Sequence, residues 1–151
     1  MWALSRNRWG WLIGLPEIVE YAKGDVFKVQ FREGDTFGTF AVEHSNTVAW
    51  TMKDGDTIIG CAGYVKECDG VATFWGFFSE DTRGHGRTII KYARHTLEQI
   101  GEFWELRRIQ AAVRADRPEY RRFIEMLGFE YEGCLKKAAA NGEDVLMYGR
   151  T

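Results

Sequence analysis

Residues 73–93, TFWGFFSEDTRGHGRTIIKYA, decide how this chain folds. The aromatic run Thr73-Phe74-Trp75-Gly76-Phe77-Phe78 has the length and composition of a strand. A short polar link follows, and Arg83-Gly84-His85-Gly86-Arg87 then opens a long stretch with helical apolar spacing. A strand that runs through a glycine-rich turn into a helix builds an anion cradle. The first amides of a helix lack an acceptor within it, the helix dipole adds partial positive charge, and glycines let an oxyanion approach without a Cβ in the way. Arg83, Arg87, Lys91 and Arg94 or His95 recur at three- and four-residue spacing, so they fall on one face of the first turns. Backbone amides beside a row of cations suit a ligand with several phosphates.

Working outward, 151 residues with 45% hydrophobic content are enough for a single domain, residues 1–151, with a genuine core. A net charge of −2 argues against nucleic acid as a partner, because such proteins present a strongly basic face. The three cysteines, Cys61, Cys68 and Cys134, show neither Cys-x-x-Cys spacing nor a His pair nearby, so no metal site and no disulfide framework is expected. Arg6, Asn7 and Arg8 interrupt the first residues where a signal peptide would need an apolar core, and no run approaches the ~18 apolar residues of a membrane span. The expected location is the cytoplasm, away from membranes.

Upstream, residues 15–22, LPEIVEYA, predict a helix with Pro16 in its first turn and Gly24 past its end. Residues 36–45 place Phe37, Phe40, Ala41 and His44 at helical spacing behind Asp35 as N-cap, which predicts a second helix. From Thr47 the pattern changes. Residues 47–53, 57–66 and 71–78 alternate with the turns Asp54-Gly55-Asp56 and Cys68-Asp69-Gly70, which predicts an antiparallel meander. The helix over residues 84–104 carries Ile89, Ile90, Ala93, Leu97, Ile100 and Trp104 as a stripe to pack on that sheet. Residues 108–115, RIQAAVRA, then read as a strand parallel to the preceding one, because a helix lies between them. Pro118 and Gly128 bracket a further helix, and residues 130–151 read as two strands of a closing hairpin.

The segment Asp81-Thr82-Arg83-Gly84-His85-Gly86 resembles the acyl-CoA-binding signature of the GNAT superfamily of acetyltransferases, in which Gln/Arg-x-x-Gly-x-Gly/Ala follows a central strand. Both glycines and the basic residue before the first match, while Asp81 stands where the family prefers Gln or Arg. The helix ending in Gly128-Phe129 resembles the family's Asn-x-x-Ala-x-x-x-Tyr-x-x-x-Gly-Phe, with Arg117 at the Asn position, Tyr120 at the Ala position and Ile124 at the Tyr position. The resemblance spans nearly the whole chain and is strongest from Thr47 to Arg150. It implies an α/β (α+β) fold with a mixed, mainly antiparallel sheet flanked by helices, whose central parallel strands splay to admit a pantetheine arm. It also implies a first strand around residues 2–5 and that the two upstream helices wall the acceptor site.

On that resemblance the co-substrate is acetyl-CoA, bound by Phe77, Phe78, Arg83, Gly84, His85, Gly86, Arg87, Thr88 and Lys91, and the acyl group passes directly to an amine on a small molecule or protein. Glu43 is the first candidate for the general base, with Glu80 and Asp81 behind it. The family's Tyr donates a proton to the departing thiolate and Ile124 has none to give, so Tyr120, one turn away, is the candidate acid. A second reading follows from a likeness to small virion-associated proteins of short-tailed phages, carried by the Trp-Gly-Phe-Phe strand, the long helix and RRFIEMLGF. It implies a non-catalytic role in the virion, with virion proteins or a second copy in a homodimer as partners.

Overall fold

The computed structural model describes residues 16–29 and 46–151. Among the described residues, seven strands form one sheet in the order β1-β2-β3-β4-β5-β7-β6, namely β1 (Glu17–Glu20), β2 (Thr47–Asp54), β3 (Thr57–Cys68), β4 (Val71–Phe78), β5 (Arg108–Arg114), β6 (Glu130–Leu135) and β7 (Val145–Arg150). Helices α1 (Gly86–Phe103) and α2 (Pro118–Met126) lie between β4 and β5 and between β5 and β6. The expected meander is present, since β2 pairs antiparallel with β3 and β3 with β4. Gly55 and Gly70 turn these hairpins at φ 60 and 77, values that a side chain would oppose.

The expected helix over residues 15–22 is instead β1, which pairs antiparallel with β2 from Glu17 opposite Lys53 to Glu20 opposite Trp50. Ile18 and Val19 are β-branched neighbours, and opposite charges meet at Glu17 and Lys53, so pairing on an open edge outweighs a short helix pattern with few turns to propagate. Gly24 is not a helix stop but the residue before a 3-10 turn, Asp25–Lys28, at φ 87. The expected strand at residues 2–5 and helix at residues 36–45 lie outside the described residues.

One face of the sheet carries both helices. Ala93, Leu97 and Ile100 of α1 and Ile124 of α2 are buried with Tyr64, Phe74, Ile109, Ala111, Val113, Leu127, Phe129, Leu146 and Tyr148. Burying a Leu or Ile side chain stabilises by about 1.5–3 kcal/mol, so this cluster holds α1 on the sheet better than helix propensity would. α2 stops in a C-terminal cap where Phe129 N–H donates to Ile124 O and Gly128 N–H to Glu125 O, with Gly128 at φ 86. On the other face Val26, Val29, Ile58, Cys61 and Trp75 form a smaller cluster. There the buried Asp25 accepts from the Thr51 hydroxyl at 2.6 Å and the Ala22 amide at 2.9 Å, which ties the 3-10 turn to β2.

Candidate functional site

The site begins where β4 and β5 part. Their parallel pairing runs only through Val71–Arg108, Ala72–Ile109 and Thr73–Gln110. Beyond it Phe74 to Phe78 keep β3 as partner, while Ala111 to Arg114 pair with β7. The strands thus open a wedge with its apex at Thr73 and Gln110, where the Gln110 side-chain amide donates to Thr73 Oγ1 at 3.3 Å. Backbone groups along both inner edges face the gap, ready for an amide-bearing ligand.

Past the mouth of the wedge the chain makes a 3-10 turn, Glu80–Thr82, and enters α1. Ser79, 2% exposed, anchors the turn: its amide donates to Ile59 O at 2.9 Å, its carbonyl accepts the buried Thr82 hydroxyl at 2.7 Å, and its own hydroxyl accepts the Asp81 amide at 3.2 Å. Gly84 follows at φ 89, the left-handed region. His85 precedes the helix without a side-chain cap, and its carbonyl takes the Ile89 amide at 3.0 Å. The amides of Gly86, Arg87 and Thr88 come ahead of that first helical bond, where a helix offers them no acceptor. A Cβ built on Gly86 or Gly84 would meet no atom within 4 Å, so the space beside these two glycines is open. Exposed amides, open space and a helix dipole together fit an oxyanion such as a pyrophosphate.

The expected cations divide. Arg87, Lys91, Arg94 and His95 line a groove on the outer side of α1 together with Ile90, Glu98 and Met126. The Arg94 guanidinium also donates to Met126 O at 2.8 Å, linking α1 to α2. Arg83 stands in the turn instead, exposed and 3.7 Å from Glu80.

The aromatic candidates divide as well. Phe77 packs beside Trp75, ring centroids 5.8 Å apart, on the face away from the helices. Phe78 lies on the helix face, edge to the ring of Phe123 on α2 at 6.0 Å. Phe123 also stacks 6.4 Å from Phe74, so α2 reaches across the wedge to β4 by a residue that helical spacing alone marks only as apolar. Ile124 is 5% exposed and belongs to the main core. Tyr120 is half-buried against the same core. Glu43 lies outside the described residues, and Glu80 and Asp81 are exposed.

Two further residues border this region, and the first of them, Tyr92, was missed in the sequence. Tyr92 of α1 meets Trp50 of β2 edge to face at 5.9 Å, and burial raises its hydroxyl pKa. Its place one turn after Thr88 on the apolar stripe was the available signal. Cys61, buried beneath Thr51 at 3.8 Å, has its thiol pushed up to about 11 by burial, which makes it inert packing rather than a nucleophile.

Neither a protein-family model nor a curated protein sequence matches the chain. Solved structures do. A mutant form of the spermidine N-acetyltransferase SpeG from Vibrio cholerae matches with a TM-score of 0.64 at 16% identity, covering 88% of this chain and 93% of that one. The ribosomal-protein-S5-alanine acetyltransferase from Vibrio fischeri matches with a TM-score of 0.62 at 22% identity, over 71% of this chain and 62% of that one. The Microcin C7 self immunity acetyltransferase MccE, solved with acetyl-CoA and AMP, matches with a TM-score of 0.61 at 18% identity, over 70% and 61%. With another SpeG form the match spans 66% of that chain, so several of these proteins extend beyond the region shared. The fold is therefore the GNAT fold: a mostly antiparallel seven-stranded sheet with one parallel pair and helices packed on it.

Proposed function

We propose that this chain is an acyl-CoA-dependent N-acyltransferase that binds acetyl-CoA or a close homologue and transfers the acyl group directly to an amine. The observation that carries this reading is the junction of the β4/β5 wedge with the Gly84–Gly86 cradle. One takes an extended amide-bearing arm and the other a pyrophosphate, and they meet at the end of a single strand. The co-substrate supplies the activated thioester. The chain's part is to hold it: the Gly86, Arg87 and Thr88 amides donate to phosphate oxygens, Arg87 and Lys91 offer charge along α1, and the inner edges of the wedge hydrogen-bond the arm. The likeness to acetyltransferases that act on spermidine and on ribosomal protein supports an amine acceptor, on a small molecule or a protein.

Proton handling in this reading falls to Tyr120 or to solvent, because Ile124 offers no donor. A thiolate with a free pKa near about 8.5 can also leave unprotonated, so a core residue at this position slows transfer without forbidding it. Glu43 remains our candidate base from sequence. The non-catalytic reading draws on Ile124 and on the likeness of the Trp-Gly-Phe-Phe strand, the long helix and RRFIEMLGF to phage virion proteins, and the structures compared give its virion setting no support.

Calorimetric titration with acetyl-CoA and with CoA tests the proposal. Saturable binding of both, with CoA release in the presence of a polyamine or peptide amine, is the expected result. No binding at millimolar ligand overturns it, and binding without release from any amine in a broad panel leaves a CoA-binding protein in place of an enzyme.

A further inference from the structure

Next to the wedge, on the helix face, lies an apolar cavity of about 40 Å³. Ala62 of β3 and Trp50 of β2 form its floor, Ile89 and Tyr92 of α1 its roof, and Phe78 and Phe123 the side toward the wedge. The Tyr64 and Thr96 hydroxyls at its margin satisfy each other at 2.9 Å, so they offer a guest little. A cavity with this lining favours an apolar occupant over water. That is several times the roughly 10–15 Å³ that one water-sized group requires, so it has room for more than one methyl group. An acetyl methyl would leave most of it empty.

The cavity adjoins the path the proposed co-substrate takes. An arm anchored at the cradle passes Phe78 first and Phe74 deeper in the wedge, and both residues line the cavity. We propose that the group transferred is a short apolar acyl chain longer than acetyl, lodged under α1 with Phe78 and Phe123 flanking its entry and Ala62 and Ile89 setting its length. This rests on the acyltransferase reading given above. The chemistry is that of any thioester aminolysis: the amine nitrogen bonds to the acyl carbon, the C–S bond breaks, and the CoA sulfur ends with the proton the amine loses.

The test measures binding before turnover. Calorimetric affinities are compared for CoA, acetyl-CoA, butyryl-CoA and decanoyl-CoA on the wild type, Ala62→Leu and Ile89→Ala. Wild type is expected to hold butyryl-CoA at least several-fold tighter than acetyl-CoA, since each buried methylene contributes about threefold to fourfold. Ala62→Leu, which fills the cavity, should cancel that preference while CoA itself binds as before. Ile89→Ala, a change a helix accepts readily, should move the preference toward longer chains and stands in should the Leu variant fail to fold. CoA release from the same donors should follow the same order. Equal affinity of wild type for acetyl- and butyryl-CoA, with CoA binding intact, overturns the acyl pocket and leaves the acyltransferase reading standing. Loss of binding for CoA and every acyl-CoA overturns both.

Discussion

At the cradle, Gly84 holds a left-handed φ of 89, Ser79 is locked by bonds through its amide, carbonyl and hydroxyl, and Gly84 and Gly86 face space in which a Cβ would touch nothing. On α2, where the resemblance places a proton donor, Ile124 is 5% exposed, and its carbonyl closes the helix cap to Phe129. One region spends its local structure on an empty, polar, amide-lined space. The other has turned the matching position into core. The contrast teaches that a cradle made of backbone tolerates changes in the side chains around it, whereas a proton donor rests on one side chain, and at position 124 that side chain is part of the core.

The largest effect should come from the core side of the contrast. Ile124→Ala should cost about 2–5 kcal/mol of stability, because the cavity left between α2 and the sheet cannot fully collapse. Ile124→Tyr should also destabilise, by about 1–3 kcal/mol, since a larger ring has no room at a position this buried. Urea denaturation measures both, and a Tyr variant as stable as wild type with faster CoA release would show that the position faces the site after all.

Next comes the buried carboxylate that fastens the 3-10 turn to β2. Burial alone would raise the pKa of Asp25, but the Thr51 hydroxyl, the Ala22 amide and Lys28 together hold it below the ordinary Asp value. Its folded pKa is depressed, so its contribution to stability is present above the unfolded pKa and is lost as pH falls through the folded value. Thr51→Val, which removes the hydroxyl and leaves a buried acceptor short of a donor, should cost about 1–3 kcal/mol and move acid unfolding to higher pH. Acid titrations of both proteins followed by circular dichroism would show it, and coincident curves would remove Asp25 from the acid transition.

On the cradle side, Gly86→Val should lower CoA affinity about tenfold, or ~1.4 kcal/mol, by placing methyl groups over the amides while the fold stands. Gly84→Val adds the strain of a branched residue at φ 89 and should lose stability as well. Wild-type affinity in both folded variants would place the phosphate site elsewhere. Smaller still is the effect of the cations on α1. CoA should bind more tightly than dephospho-CoA through Arg87 and Lys91, and the gap should narrow as salt rises, since these side chains are exposed and screened. Tyr120→Phe should leave acetyl-CoA affinity unchanged and lower turnover if its hydroxyl is the donor; an unchanged rate assigns the proton to solvent.

Residues 47–150 were legible because their signals are local: Gly55 and Gly70 turn hairpins, alternation sets strands, Pro118 and Gly128 bracket α2, and a helix between β4 and β5 forces them parallel. The cradle was legible for the same reason, as its glycines act on the backbone around them. α1 begins at Gly86, two residues after the expected start, because Gly84 is held in the turn rather than the helix.

Contacts between distant segments decided the rest. Residues 17–20 became a strand because β2 offered them an open edge, which a short window of sequence cannot register. Phe77 and Phe78 look equivalent in sequence, yet the pleat of β4 sends one to each face, and only Phe78 meets α2. The wedge could be anticipated in kind, but its apex at Thr73 and Gln110 depends on where β7 takes over as the partner of β5. The cavity beneath α1 has no signature in the sequence at all, because its wall comes from β1, β2, β3, β4 and both helices, and its volume is whatever their packing leaves unfilled.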